Sequence, residues 1–137
     1  MIGKLDQTLQ FNSTALKLRA ERQQLLSANI ANADTPGYKA ADFDFARALN
    51  SATGHASGAG ASALRTLTSS AKHLSAGSTA LGGAPILFRT PAQASLDGNS
   101  VEMDTERAQF ADNAVRYEAA LRFLNGQIKT MLSAIQG

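Results

Sequence analysis

The sequence predicts a mainly α protein, in which two long terminal helices form an antiparallel coiled coil and a flexible middle segment holds short extended pieces. This fold class follows from the distribution of apolar residues. In the last part of the chain, apolar residues recur every three or four positions and form a stripe along one face of a helix. The first part of the chain contains a broader stripe of the same kind. The region between them is rich in Gly, Ser and Ala, and it has too few large apolar residues to cover both stripes.

The C-terminal stripe is the strongest helix signal and predicts a helix over residues 104–135. Its apolar positions are unbroken: Phe110, Ala114, Tyr117, Leu121, Leu124, Ile128, Met131 and Ile135. Asp104 or Thr105 is the expected N-cap, and Glu106 lies in the first turn, where the helix dipole favours a carboxylate. Gly126 inside this helix indicates either a bend or a close approach by a neighbour.

The N-terminal stripe predicts a second helix over residues 4–33, with a wide but interrupted apolar face. Its apolar positions are Leu5, Leu9, Leu16, Leu26 and Ile30. The same stripe passes through the polar residues Asn12, Arg19 and Gln23. The apolar positions of the two stripes are together named the assembly stripe. We expect a helical hairpin alone to leave part of these wide faces uncovered.

A turn motif marks the end of the N-terminal helix. Proline cannot continue a helix, and the pair Pro36 and Gly37 fits the central positions of a type II turn, in which the glycine has positive φ. We name this motif the helix-end turn. It comprises Asn29, Asn32, Asp34, Pro36, Gly37 and Tyr38.

These signals divide the chain into an N-terminal helical segment, 1–35, a middle segment, 36–103, and a C-terminal helical segment, 104–137. Within the middle segment, residues 51–63 have the composition of a flexible linker. For residues 38–50, the periodicity leaves a short strand and a helical turn both open.

Two further short elements are predicted near the end of the middle segment. The apolar run Ile86-Leu87-Phe88 predicts a β-strand. The sequence Leu96-Asp97-Gly98-Asn99 predicts a turn in which Gly98 adopts positive φ.

Composition argues against several classes of function. Cysteine is absent, which excludes disulfides, thiolate metal sites and cysteine nucleophiles. The formal net charge is only +2, so a nucleic-acid binder is not the first expectation. Polar residues stand where a signal peptide would have its apolar core, and no apolar run is long enough to span a membrane. We therefore expect neither a cleaved signal peptide nor membrane insertion.

The histidines and glycine-rich segments do not form an evident catalytic or metal site. His55 and His73 lack a second ligand at metal-binding spacing, so we interpret both as solvated. The glycine-rich segments lack the Lys-Ser/Thr of a phosphate-binding loop. We expect no enzymatic activity, no metal and no cofactor.

Charged clusters have similarly simple interpretations. The carboxylate pairs Asp42/Asp44 and Glu102/Asp104 are expected to be solvated or to cap helices, because the sequence offers no apolar pocket to shift their pKa values. The segment 19–22, Arg-Ala-Glu-Arg, is expected to be a solvated helix face, with a nucleic-acid contact as the less favoured interpretation.

Residues 27–39, SANIANADTPGYK, resemble the signature that closes the first helix of flagellar rod and hook proteins, A-N-I-A-N-x-x-T-x-G-Y. Further features make the chain similar to the proximal-rod members of that family. They are the DTPGY form of the turn, the segment SLDGNSVEMD at 95–104, the segment QFADNA at 109–114 and the short chain. The resemblance covers about residues 4–50 and 86–137, while the last helix lacks the R-x-Y-x-A-N ending of several other axial proteins.

This resemblance implies a structural subunit of the bacterial flagellar basal-body rod, which assembles through its terminal helices into a tubular, torque-transmitting shaft. It implies a location in the periplasmic part of the basal body and export by the flagellar type III apparatus. The implied partners are other rod subunits, copies of the chain itself, the junction protein of the MS ring and export gate, and a rod cap. The alternative hypothesis is a soluble coiled-coil adaptor or a small nucleic-acid-binding protein.

Overall fold

The computed structural model describes residues 2–54, 80–81, 84–91 and 95–136. Within these ranges the helices are α1 (Ile2–Ala31), α2 (Phe45–Ala52) and α3 (Met103–Gln136). The strands are β1 (Ala41–Asp42), β2 (Ala80–Leu81), β3 (Ala84–Pro85) and β4 (Leu87–Phe88). The predicted mainly α fold with long terminal helices is confirmed.

Helices α1 and α3 pack side by side in opposite directions. Near the start of α1, Asn12 Nδ2 donates to Gln127 Oε1 at 2.9 Å. Near its end, Asn29 Nδ2 donates to Glu106 Oε2 at 3.0 Å. Early positions of one helix therefore meet late positions of the other, as in an antiparallel pair.

The contact between α1 and α3 is named the seam. The polar positions that interrupt the N-terminal stripe, Asn12, Arg19 and Gln23, bond across it through a side chain or, for Arg19, through the backbone carbonyl. Asn113 Nδ2 donates to the Arg19 carbonyl at 2.9 Å and to Gln23 Oε1 at 2.6 Å. Together with the bond between Asn12 and Gln127, these contacts give the interruptions a structural role. Directional hydrogen bonds fix the alignment of the helices more strictly than apolar contacts do.

Helix α2 folds back on α1 and forms a small apolar core with it. Leu18, Phe43 and Ala48 are buried there, and Leu25 and Leu49 pack against them. Asp44 is the N-cap of α2, and its side chain accepts from the Arg47 N–H at 3.1 Å. The structure thus places a strand and then a helix in residues 38–50, and the capping interpretation of Asp44 is confirmed.

Strand β4 returns the chain to the end of α1. It pairs antiparallel with β1, so that Ala41 faces Phe88 and Asp42 faces Leu87. The strand predicted over 86–88 is therefore found, one residue shorter. Strands β2 and β3 form a separate antiparallel pair.

The linker predicted for 51–63 begins later than expected, because Ser51 and Ala52 still belong to α2. Capping by Asp44 and burial of Ala48 stabilise this helix independently of its Ser- and Ala-rich end. Residues 55–63 lie outside the described part of the chain.

The predicted N-cap of α3 was wrong by two or three positions. The Glu106 N–H donates to the Glu102 carbonyl at 2.9 Å, so Asp104 and Thr105 lie inside the first turn. The Thr105 hydroxyl donates to Glu102 Oε2 at 3.2 Å.

Among the described helices, none combines the length and apolar character needed to cross a membrane.

Candidate assembly interface

The candidate functional site has two parts, at different places along the helix pair. The first is a polar junction, formed where residues 29–42 meet residues 87–89 and 95–106. The second is the set of apolar side chains that α1 and α3 leave exposed. The junction fixes the path of the chain at one end of the pair, and the apolar surface is available for contacts.

The helix-end turn has the predicted backbone geometry. Helix α1 ends at Ala31, and the Tyr38 N–H donates to the Thr35 carbonyl at 3.2 Å across Pro36 and Gly37. Gly37 has φ of +72°, as expected for the third position of a type II turn. Gly98 also has positive φ, at +73°, as predicted.

Asn99 binds the loop that follows α1 from the opposite side of the junction. Its Nδ2 atom lies 3.0, 2.7 and 2.9 Å from the carbonyl oxygens of Asn32, Ala33 and Thr35. These carbonyls belong to the loop that follows α1, so an amide from a distant segment fixes the path of the chain where it leaves the helix. Sequence reasoning placed Asn99 only in a local turn and missed this contact, which spans more than sixty residues.

Asn29 is fully buried and holds the junction together from within α1. Its Nδ2 donates to the Ala41 carbonyl at 2.9 Å, and its Oδ1 accepts from the Ala41 N–H at 3.0 Å. Its Oδ1 also accepts from Tyr38 Oη at 3.3 Å, and its Nδ2 reaches Glu106. One side chain therefore binds the chain leaving the helix and the start of α3.

The other residues of the helix-end turn have more local contacts. Asn32 Nδ2 donates to the Ala28 carbonyl at 2.8 Å, and Asn32 Oδ1 accepts from the Thr35 hydroxyl at 3.1 Å. Asp34 and Pro36 are exposed. The structure thus brings Asn29, Asn32 and Tyr38 into one hydrogen-bonded cluster and leaves the tip of the turn in solvent.

Backbone hydrogen bonds join the helix-end turn to the segment before α3. The Gly37 N–H donates to the Asp97 carbonyl at 2.9 Å, and the Ser100 N–H donates to the Tyr38 carbonyl at 2.9 Å. The Ser100 hydroxyl accepts from the Ala40 N–H at 2.8 Å. Gly98 and Gly37 are in contact, because a Cβ at position 98 would lie 3.8 Å from the Gly37 Cα.

A charged network lies beneath this turn. Arg22 forms two parallel bonds with Asp42, Nε to Oδ1 at 2.9 Å and Nη2 to Oδ2 at 2.8 Å. Arg89 donates to Asp42 and Gln109, and its Nη1 lies 2.6 Å from Glu106 Oε1. Two arginines and two carboxylates thus neutralise one another between α1, β1, α3 and the residue after β4.

The network changes the pKa values of its members. Burial raises the pKa of Asp42, but the hydrogen bonds from Arg22 and Arg89 outweigh it and lower the pKa below its ordinary value. The hydrogen bond to Asp42 raises the pKa of Arg22, against the opposing effect of burial. Both groups therefore stay ionised in the folded chain at neutral pH.

Two charge interpretations made from the sequence were wrong. Asp42 is not solvated, since its side chain is 13% exposed and lies between two arginines. The face carrying Arg19 and Arg22 is not a free solvated face, because Arg22 binds Asp42 and the Arg19 guanidinium stacks 4.3 Å from the centre of the Phe45 ring. Arg89 and the buried Glu106 were missed, because no local pattern marks partners so distant in the chain.

The assembly stripe lies along the seam and its outer edge. Leu26 is buried, whereas Leu5, Leu121, Ile128 and Ile135 are exposed. The remaining positions are half-buried: Leu9, Leu16, Ile30, Phe110, Ala114, Tyr117, Leu124 and Met131. Other large apolar residues of the terminal helices are also exposed, namely Phe11, Val115, Phe123 and Leu132.

An open groove of about 520 Å³ lies between the free ends of α1 and α3. We define it by its main lining residues, Leu5, Leu9, Phe123, Gly126, Gln127 and Met131. Beyond the backbone of α3 itself, no described heavy atom would lie within 4 Å of a Cβ at Gly126. Gly126 therefore marks an open surface of the chain, and not a close approach by α1.

No candidate metal site appears among the described residues. No three of their histidine, aspartate and glutamate side chains are grouped closely enough to hold a metal ion. His55 and His73 lie outside the described part of the chain. Glu102 and Asp104 are exposed at the start of α3.

Comparisons with known proteins identify the family. A family model described as flagella basal body rod protein matches residues 9–39, which include the helix-end turn. The flagellar basal body rod protein FlgB of Yersinia enterocolitica is 49% identical over 99% of this chain and 98% of its own length. FlgB of Salmonella typhimurium is 47% identical over 100% of this chain and 99% of its own length.

The chain belongs to the FlgB family of flagellar basal body rod proteins. A third relative, FlgB of Escherichia coli K12, is 48% identical over 99% of this chain. The FlgB family is structural, so the predictions of a rod protein and of no enzymatic activity are confirmed. The alternative of an adaptor or nucleic-acid-binding protein is not favoured by membership of the FlgB family.

Proposed function

We propose that the chain is a subunit of the proximal part of the flagellar rod and assembles through its terminal helices into a tubular, torque-transmitting shaft. The observation that carries this proposal is the set of large apolar side chains that both terminal helices leave exposed. These residues are Leu5, Phe11, Val115, Leu121, Phe123, Ile128, Leu132 and Ile135.

The physical reason for assembly is that two helices cover only one side of each other. Ile135 is 82% exposed and Phe123 is 59% exposed, so single copies leave large apolar groups in water. Full burial of such a side chain contributes roughly 1.5–3 kcal/mol. Packing against neighbouring subunits would bury several of them in each copy and offset the loss of freedom on association.

Within each subunit, we propose that α1 and α3 wind around each other as an antiparallel coiled coil. Support comes from the unbroken apolar spacing of α3 and from the cross-helix bonds of Asn12 and Asn113. A polar residue in an apolar seam favours one alignment over its alternatives, because a slipped pair would leave its amide without a partner.

The junction has a distinct part in this proposal. It sets the direction in which the chain leaves the helix pair, through the positive φ of Gly37 and the bonds of Asn29 and Asn99. Every copy in a helical assembly needs the same exit direction, since a variable one would obstruct its neighbours. The helix-end turn therefore positions the middle segment.

The proposed partners follow from the FlgB family and the earlier resemblance. They are other rod subunits, copies of this chain, the junction protein of the MS ring and export gate, and a rod cap. The proposed location is the periplasmic part of the basal body, reached through the flagellar type III apparatus without a cleaved signal peptide. Neither nucleic acid nor membrane insertion is part of the proposal.

The direct test is replacement of a relative in its own rod. A strain lacking FlgB would be complemented with this chain, and basal bodies would be isolated and probed for it. Retention of the chain in purified basal bodies, with restored swimming, is the expected result. Secretion of the chain without retention in any basal body would contradict a rod role.

A further inference from the structure

We propose that a second copy of this chain binds head to tail, with Phe88 at the junction of one copy seated in the open groove of the next. This inference rests on the proposed rod function and adds to it a specific contact between subunits. It involves two unlike surfaces of one molecule, both of them exposed in the part of the chain that the structure describes.

The receiving surface is the open groove. Its apolar walls include Leu5, which is 48% exposed, and Phe123, which is 59% exposed. The groove is open beside Gly126, because a Cβ placed there would have no other described element within 4 Å. A volume of about 520 Å³ lies within the range of sites that take small organic groups, so an aromatic ring can enter.

The inserted group is the apolar end of β4. Phe88 is 70% exposed, and Leu87 beside it is 53% exposed. Their backbone is fixed, since Phe88 pairs with Ala41 and the Arg89 N–H donates to the Ala40 carbonyl at 2.8 Å. A ring presented on a fixed backbone loses little freedom on binding, which favours association.

The two surfaces lie at opposite ends of the helix pair. Leu9 lines the groove, while Asn29 bonds to Ala41, the partner of Phe88. Twenty helical residues separate Leu9 from Asn29, a distance of about 30 Å at the rise of an α-helix. Phe88 therefore cannot reach the groove of its own chain. Contacts between unlike surfaces continue from copy to copy and build filaments rather than closed pairs.

The exposed charges at the two ends favour this pairing over contacts between like ends. The groove end carries Lys4, Arg122 and Lys129 against Asp6 and Glu118. The junction end carries Asp34, Asp97, Glu102 and Asp104 against Lys39 and Arg107. In this pairing a net positive end meets a net negative one. The attraction between them steers association, and added salt weakens it by screening the charges. This complementarity supports a second copy of the chain as the occupant.

Cross-linking provides the test, because the chain has no cysteine of its own. Thr90→Cys, two residues after Phe88, would be made in one protein, and Gly126→Cys would be made in another. The purified full chains would be mixed and treated with a short bismaleimide reagent. We expect a cross-linked dimer from this mixture, and a yield about tenfold lower when Thr90→Cys is combined with Phe88→Ala. Salt at about 1 M should also lower the yield.

A matched control uses Ser133→Cys, an exposed position further along α3, in place of Gly126→Cys. Equal yields from positions 126 and 133, or cross-links mainly between two copies of Gly126→Cys, would overturn the head-to-tail contact. An unchanged yield with Phe88→Ala would also overturn it, provided that circular dichroism shows the same helix content. Retention in basal bodies without this cross-link would refute the contact and leave the rod function standing.

Discussion

Asn29 Nδ2 donates to Glu106 Oε2 at 3.0 Å, and both residues are almost completely removed from solvent, at 0% and 1% exposure. This bond joins the last turn of α1 to the first turn of α3. Because Glu106 also binds Arg89, the hydrogen-bonded cluster around Asn29 and the charged network are continuous. The junction therefore acts as one polar core, and loss of one member affects the others.

Replacing Asn29 by alanine should destabilise the chain. The change removes the partners of the Ala41 N–H and carbonyl and one partner of Glu106. We expect a loss of about 2–3 kcal/mol in the free energy of unfolding, because buried polar groups would be left without partners. Urea unfolding of the purified chain measures this. Ser27→Ala, at an exposed position of the same helix, is the control and should change the value little.

Arg89→Met should lower the free energy of unfolding at least as much as Asn29→Ala does, because two carboxylates lose a positive partner. Arg89 pairs with Asp42 and with the buried Glu106. Removal of one partner from a buried ion pair costs about 3–5 kcal/mol, and some exposure of Arg89 favours the lower value. The control is Arg47→Met on the exposed face of α2. Equal stability of the two variants would show that the network contributes nothing.

The charged network also predicts the direction of the pH dependence. The folded-state pKa of Asp42 is lowered from 3.8, so folding favours its charged form. Its contribution is therefore present above that ordinary value and is lost as the pH falls through the lowered folded pKa. Arg22 and Arg89 are the charged groups bonded to Asp42, and Glu106 shares Arg89 with it.

Asp42→Asn tests this pH dependence. Unfolding free energies of the variant and the unchanged chain would be compared from about pH 5 to about pH 2. We expect the variant to be less stable at the upper value, and the difference to shrink towards the lower one. Asp44→Asn is the matched control, because it keeps a good N-cap for α2 at an exposed position. A difference that is constant with pH would contradict the role given to the Asp42 charge.

The long helices could be predicted from the sequence because helical periodicity is a local property. Residues three and four positions apart are neighbours on the surface of a helix, and the apolar residues of α3 repeat at that spacing without a break. The helix-end turn was equally predictable, because proline fixes the backbone angle φ at its own position and glycine allows a positive φ at its own. These are the features for which residues near in sequence are also near in space.

The polar junction could not be predicted because its partners are distant in the chain. Arg22 and Asp42 are 20 residues apart, and Asp42 and Arg89 are 47 apart. Neither pair has a spacing that indicates contact before the path of the chain is known. Asn12 and Gln23 were visible as interruptions of a stripe, but only the antiparallel packing shows that Gln127 and Asn113 meet them.

Gly37→Val should impair assembly more than folding. Gly37 has φ of +72°, where a β-branched residue is strained by about 1–3 kcal/mol. No atom of the described residues would clash with a Cβ at position 37, so we expect the damage to come from the backbone and to change the direction of Tyr38. Swimming of a complemented strain is the measurement, and Gly3→Ala in an exposed part of α1 is the control. Normal swimming with Gly37→Val would count against a fixed exit direction.

Assembly through the exposed faces of the terminal helices is tested by the incorporation of Ile128→Asp into isolated basal bodies. Ile128 is 41% exposed in the single chain, so a charge there should leave the helix pair folded but be costly in a packed rod. Ser133→Asp introduces the same charge at an exposed polar position of α3. We predict that Ile128→Asp is exported but absent from basal bodies, while Ser133→Asp is retained. Equal retention of the two variants would contradict the claim.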